Sequence, residues 1–394
     1  MSLDFPTVTI REGLAHLIVP DLDRRPGEPP DHARSRAPVF YNPVMRLNRD
    51  TAVLALQVHS DRLERPVNVC EPMCGSGVRG VRMALEAGDV YRILLGDLSP
   101  SAVKLSELNA SRNSVQGKVN VRLMDANLML NIHSHPMARF DYIDIDPYGS
   151  PSRFIDSAIR ASHDGGMIAL TATDMAPLCG VNPEACTRKY GGKPLRASYC
   201  HEVALRLLIG ANARQAAIHE FGIKPVFGYY SDHYVRAYIV LERGARSANR
   251  SLQKMGYIQH CWNCMNRKTV TDISEIEDEC GLCGEVMMVG GPLWLGDYAD
   301  NAFCEQMLER FSMRGDWEDG LEQLLKKVVN EIGLPPTYYN ADRLSSTLGV
   351  PSIPLNPLLE GLRAGGYRAI KTHFDSRGVK TDAPPDVLGN LFKE

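Results

Sequence analysis

Short apolar runs and stretches of helical periodicity take turns along the first part of the chain. The runs VNVCEP (67–72), YRILLGD (91–97), VNVRLMD (119–125), DYIDID (141–146) and GMIALTATD (166–174) are bounded by Gly, Pro or acidic residues and predict strands. Between them, residues 76–88, 101–113 and 151–162 carry helical spacing. Strands alternating with helices predict a parallel, doubly wound α/β sheet that binds ligands at the carboxyl ends of its strands. A long amphipathic helix over 197–222 follows. IKPVFGYY and YVRAYIVLERG then flank an SDH turn and predict an antiparallel hairpin that closes the sheet. A first domain, 1–246, is expected to end near Arg246.

The pattern changes in 247–394. A helix is expected from about 299 to 332, and shorter ones at 341–349 and 355–364, before the hairpin-like stretch GYRAIKTHFDSRGVKTDAP. Helix, turn, helix and basic hairpin predict a winged-helix-like part within a smaller α+β domain. Pro20–Pro38, rich in proline and charge, predicts a flexible loop.

Composition narrows the classes. The 394 residues are 44% hydrophobic and 23% charged, as in ordinary globular chains. No apolar run is long enough for a membrane span, and the first residues lack a signal pattern, so a cytoplasmic, membrane-free protein with no obligate protein partner is expected. A net charge of −3 argues against a bulk nucleic-acid binder. Any polyanion would need a local patch, and Arg363, Arg368, Lys371, Arg377 and Lys380 lie near one another in sequence with Asp375 as the acid among them.

The chemistry-bearing residues sit at the predicted strand ends. EPMCGSGVRG (71–80) places Gly75 and Gly77 where backbone must turn tightly toward a nucleotide-like ligand, and Asp97, about 20 residues on, suits ribose hydroxyls. GSGVRG also satisfies the dinucleotide fingerprint, so an NAD(P)-dependent oxidoreductase stays open. Asp125 and Ala126 favour S-adenosylmethionine instead, since a carboxylate there can accept from an adenine amine. DIDPYG then supplies Asp146 as an acceptor for a delocalised amine, Pro147 to fix the chain and Tyr148 as a flat stacking face. The plainer alternative has Asp144 and Asp146 capping a turn. In VFYNPVMRLNRD, Phe40, Tyr41, Arg46 and Arg49 combine aromatic and cationic groups: either the segment packs across the sheet, or it gives a cofactor carboxylate an Arg partner and a target base a second aromatic wall. Cys261-x2-Cys264 and Cys280-x2-Cys283 have the spacing of a closed, structural Zn2+ site.

Together, VFYNPVMRLNRD, CGSGVRG, DIDPYGSP, LTATDMAPLCG and THFDSRGVKTDAP resemble the tRNA guanine-26 N2-dimethyltransferases, in their compact archaeal form. The resemblance runs in order from about residue 8 to 385. It implies a class I methyltransferase fold of Rossmann-like kind, with Arg49, Arg79, Asp97, Asp125 and Ala126 on S-adenosylmethionine. It further implies Asp146 as acceptor and Phe40 and Tyr148 around a flipped guanine. The C-terminal domain would hold tRNA, which suits Arg368, Lys371, Arg377 and Lys380. Tyr148 stands where some relatives carry Phe, and not all keep the four cysteines. A zinc-containing RNA-binding protein with an inactive methyltransferase domain is the other reading.

Overall fold

A computed structural model describes residues 3–21, 37–385 and 387–388. Most of the expected proline-rich loop, residues 22–36, lies outside them. A hairpin that the apolar pattern does not announce opens the fold: β1 (Thr7–Glu12) and β2 (Ala15–Pro20) pair antiparallel about Gly13. The main sheet is built from β3 (Val67–Glu71), β4 (Val90–Asp97), β5 (Val119–Leu123), β6 (Phe140–Ile145), β7 (Ser162–Ala172), β8 (Phe221–Ser231) and β9 (Tyr234–Arg243). Its strand order is β5-β4-β3-β6-β7-β9-β8. β3 to β7 run parallel and β8 with β9 is antiparallel, as the sequence pattern predicts.

All six residues of β6 are buried, and Cys70 in β3 lies between Leu94 of β4 and Ile143 of β6. Strands covered on both faces need continuous apolar runs, and that is why this part is legible. Going outward from the β3–β6 neighbourhood, the chain order reverses direction. The crevice at the carboxyl ends of these two strands is therefore where such a sheet takes its ligand.

The described chain forms two compact units. The first holds Met1–Pro147, Phe154–Leu170 and Glu305–Glu322; the second holds Tyr148–Arg153, Thr171–Cys304 and Gln323–Glu394. Within the second, β10 (Met255–Cys261) lies between β11 (Arg267–Val270) and β12 (Met287–Trp294). β13 (Tyr339–Asn340), β14 (Ala369–Lys371) and β15 (Gly378–Thr381) form another three-stranded sheet, ordered β13-β15-β14. With helices Leu321–Glu331, Ala341–Leu348 and Leu355–Ala364, this succession has the expected winged-helix order. Ala341, Leu344, Leu358, Leu359, Leu362 and Val379 fill its core.

The expected single helix over 299–332 is two helices, Asn301–Ser312 and Leu321–Glu331. Between them the chain breaks at Gly315 and Gly320, the latter at φ +85°, and Trp317 is buried with the Arg314 guanidinium 3.7 Å over its ring. Tertiary contacts within the first unit hold this break: Arg314 Nη1 donates to Glu86 Oε2 at 2.7 Å, and the Glu318 N–H donates to Asp50 Oδ2 at 2.7 Å. Apolar residues keep helical spacing across the gap, so local periodicity could not reveal it. Among the described residues no helix is long and apolar enough to cross a membrane.

Candidate functional site

In the first unit, three strand ends converge on the Gly-rich turn. Gly75 (φ +53°) and Gly77 (φ +72°) both occupy the left-handed region. A Cβ on Gly77 would stand 2.7 Å from Ser106 Oγ, so no other residue fits without displacing the helix Pro100–Arg112. A Cβ on Gly75 would stand 3.2 Å from the Phe40 carbonyl oxygen, which brings Phe40, exposed on its outer side, against the turn. The Gly75 and Ser99 N–H groups donate to Asp97 Oδ2 and Oδ1, each at 2.9 Å. Both oxygens are thereby oriented at the mouth of the crevice, and each keeps acceptor capacity for a diol. Asp125 caps the helix Ala126–Ile132 through Oδ1, accepting from Leu128 N at 3.0 Å, and Ala126 is buried behind it.

Arg79 organises the centre. Its guanidinium donates to Asp144 through Nη1 and to Asp146 through Nη2, while Nε lies 3.3 Å from Glu71 Oε1. Asp144 is fully buried and Asp146 keeps partial exposure, so the latter alone reaches the surface of the crevice at the end of β6. Three carboxylates around one cation carry excess negative charge. Burial pushes the Glu71 carboxyl up to about 8, with Arg79 pulling down and Asp144 and Asp146 pushing up. Around neutrality the proton therefore sits on Glu71, and Arg79 is shared between the two aspartates. Glu71 opens the Gly-rich motif, yet the motif alone assigns it no role; the signal for one is a carboxylate closing a buried strand.

Arg49, expected on a cofactor carboxylate, makes a bidentate pair with Glu12, Nε to Oε1 and Nη2 to Oε2 at 2.6 Å each. Burial raises the Glu12 carboxyl, yet Arg49 and Arg82 outweigh it and bring it down to about 2. Sequence reasoning misses Glu12 because the β1–β2 hairpin that carries it has no clear apolar signature.

Tyr148, in the second unit, is 86% exposed and presents its ring to solvent. The loop after it is fastened within that unit: the Gly149 N–H donates to Thr173 Oγ1 at 2.8 Å, and Ser150 Oγ to the Tyr190 hydroxyl at 2.8 Å. Tyr190 in turn donates to Asp174 Oδ1 at 2.5 Å, and Lys189 Nζ lies 2.9 Å from Asp174 Oδ2. Sequence reasoning gives Asp174 and Tyr190 no role; the run TATDMAPLCG is the signal for the first.

The four cysteines converge, with sulfur separations of 3.4 Å for Cys261–Cys283 and 3.5 Å for Cys264–Cys280, and all four sulfurs lie within 4.8 Å of one another. Tetrahedral thiolates around Zn2+ at about 2.3 Å stand about 3.8 Å apart, so this donor set fits such an ion. Arg368 and Lys371 are exposed, and Arg377 is half-buried with Nε and Nη2 on Asp342 at 3.0 and 2.7 Å. Lys380 is a correction. It is fully buried, with Nζ 2.6 Å from Glu202 Oε1 and 3.8 Å from Glu331 Oε2, because β15 turns it inward. It does not belong to a surface patch.

Known proteins share this architecture. The family model described as N2,N2-dimethylguanosine tRNA methyltransferase matches residues 16–393. The chain is 37% identical to the tRNA (guanine(26)-N(2))-dimethyltransferase of Methanothermobacter thermautotrophicus, over 98% of this chain and 100% of the relative. It is 35% identical to the tRNA (guanine(26)-N(2)/guanine(27)-N(2))-dimethyltransferase of Aquifex aeolicus, over 95% and 92%. Among solved structures, Trm1 from Pyrococcus horikoshii in complex with S-adenosyl-L-methionine superposes with a TM-score of 0.85 at 32% identity, covering 98% of this chain and 100% of that one.

Proposed function

The chain belongs to the N2,N2-dimethylguanosine tRNA methyltransferase family, and on that premise we propose how its residues transfer methyl groups to the exocyclic N2 of guanine 26 in tRNA. When bound, S-adenosylmethionine supplies an electrophilic methyl group on a sulfonium. Asp97 accepts from the ribose hydroxyls, Asp125 and Ala126 receive the adenine, and Gly75 and Gly77 let the backbone approach. Arg79 orients Asp146 through Oδ2, and Arg49 fixes Glu12 and the floor beside it.

The target amine is a weak nucleophile because its lone pair is delocalised into the base. Asp146 accepts a hydrogen bond from it through Oδ1, localises the pair, and takes the proton as the N–C bond forms and the S–C bond breaks. Phe40 and Tyr148 each offer an aromatic face on which a flipped guanine can stack. Residues 1–246 carry out the transfer and 247–394 hold the tRNA through Arg368, Lys371 and Arg377. Cys261, Cys264, Cys280 and Cys283 would hold one structural Zn2+. A tRNA-modifying enzyme of this kind works in the cytoplasm. The observation that supports this reading best is one aspartate, partly exposed at the switch point of the sheet, with its charge held by a buried arginine.

Asp146→Ala tests it in single-turnover methylation of tRNA. Removal of an acceptor of this type costs about 100- to 10,000-fold in rate, while dissociation constants for S-adenosylmethionine and tRNA should move little. Asp146→Asn separates the proton from the hydrogen bond, since its carbonyl still accepts. A rate in Asp146→Ala above about a tenth of the parent value, well short of that range, would reduce DIDPYG to a strand cap.

A further inference from the structure

Among the described residues, a second group of metal-binding side chains converges away from the four cysteines. Cys179, Cys200 and His201 bring Sγ, Sγ and an imidazole nitrogen within 4.8 Å of one another. All three belong to the second unit. Cys179 closes the short helix Met175–Leu178, its N–H donating to the Met175 carbonyl at 2.7 Å. Cys200 and His201 are the first residues of the helix Cys200–Ile218. Two separate segments therefore deliver the donors, and the thiols of Cys179 and Cys200 are hydrogen-bonded to each other.

The imidazole is prepared in a particular way. Its ring stacks on Tyr230 with centroids 3.9 Å apart and planes 9° from parallel. The Phe374 backbone lies beside the ring, and Nδ1 is buried with no hydrogen-bond partner. In the tautomer with the proton on Nε2, the lone pair on Nδ1 is free to bind. Metal-ligating histidines have this form: one nitrogen anchored by a carbonyl, the other left to bind. A buried acceptor without a partner is otherwise a net cost. At the start of the long helix, the N-terminal dipole also favours the thiolate form of Cys200 that a metal requires.

We propose that Cys179 Sγ, Cys200 Sγ and His201 Nδ1 form a second metal site, selective for a soft divalent ion of the zinc type and open at a fourth position. Two sulfurs and one nitrogen exclude magnesium and calcium, which take oxygen. Bond lengths of about 2.3 Å to sulfur and about 2.0 Å to nitrogen need donors about 3.5 to 3.8 Å apart. Separations bounded by 4.8 Å require at most a small contraction. Binding displaces the proton shared by the thiols and any other they retain, so uptake releases protons. The ion would tie the turn after Asp174, which anchors Tyr190 and through it Ser150, to the start of the long helix.

The test is titration of the reduced, metal-free full-length protein with Co2+, then Zn2+, followed by elemental analysis. Two ions per chain are expected. Cys200→Ser and Cys179→Ser, made separately, should each lose one ion and the weaker of two thiolate-to-cobalt absorption bands, while Cys283→Ser loses the stronger. Cobalt in the wild-type chain needs no variant and so guards against misfolding. A single ion per wild-type chain, with the same count in Cys200→Ser, would overturn the proposal and leave the trio as a hydrogen-bonded thiol pair. Loss of two thiols on mild oxidation, with no second ion under reducing conditions, would overturn it in favour of a disulfide.

Discussion

Glu71→Gln exposes the electrostatics of the crevice. Glu71 is buried at the end of β3, accepts from the Gly80 N–H at 3.1 Å and lies 3.3 Å from Arg79 Nε. Its carboxyl stands at about 8 in the folded chain against 4.5 for an unburied glutamate. At about 1.4 kcal/mol for each tenfold change in proton affinity, this corresponds to about 5 kcal/mol between the two protonation states. The folded state prefers the protonated form. Its contribution is therefore complete below about pH 4.5 and is lost as pH rises through about 8, where the folded chain must also ionise. Glutamine mimics the neutral acid and cannot ionise. Urea unfolding of wild type and Glu71→Gln, run from about pH 5 to about pH 9, should show the wild type losing up to about 5 kcal/mol relative to the variant. Turnover of the variant near neutrality should stay within a few-fold of wild type, because Glu71 is already protonated there. A stability difference that does not change with pH would refute the reasoning, and would mean that Arg79 holds Glu71 ionised at all these values.

Three further outcomes follow from the same structure. Cys264→Ser should lose about one Zn2+ per chain and lower Tm, while the fraction that stays folded keeps its affinity for S-adenosylmethionine; unchanged Tm and metal content would remove the zinc assignment. Neutralising Arg368, Lys371 and Arg377 together should weaken tRNA binding and flatten its salt dependence by about one in log–log slope for each phosphate that is no longer neutralised, read by filter binding at several salt concentrations. Lys380→Met should act differently, destabilising by up to about 3–5 kcal/mol because buried Glu202 keeps Arg206 but loses its second cation and Glu331 loses the same charge, and leaving the salt slope of the folded fraction intact; denaturant midpoints and the slope separate the two effects.

The sequence by itself determined the parallel sheet, the closing hairpin and the winged-helix order, because strands buried on both faces must be apolar throughout and the turns between them need Gly, Pro or acids. It also determined where Gly75, Gly77, Asp97 and Asp146 lie, since each ends a strand or follows one at fixed spacing, and it paired the four cysteines by the spacing of two knuckles. Tertiary structure decided what depends on partners distant in the chain. Arg49 faces Glu12 from a hairpin 37 residues away. Arg79 gathers Glu71, Asp144 and Asp146, and their crowding, which no single motif contains, sets which carboxyl keeps its proton. The break at Gly315–Gly320 exists because Arg314 and Glu318 find Glu86 and Asp50, although the apolar period runs on without interruption. Lys380 shows the limit most simply: a cation in a basic run reads as surface, and only the inward turn of β15 toward Glu202 and Glu331 makes it part of the core. Periodicity reports which face of an element is apolar; the free energy of a buried charge depends on which opposite charge the fold brings to it.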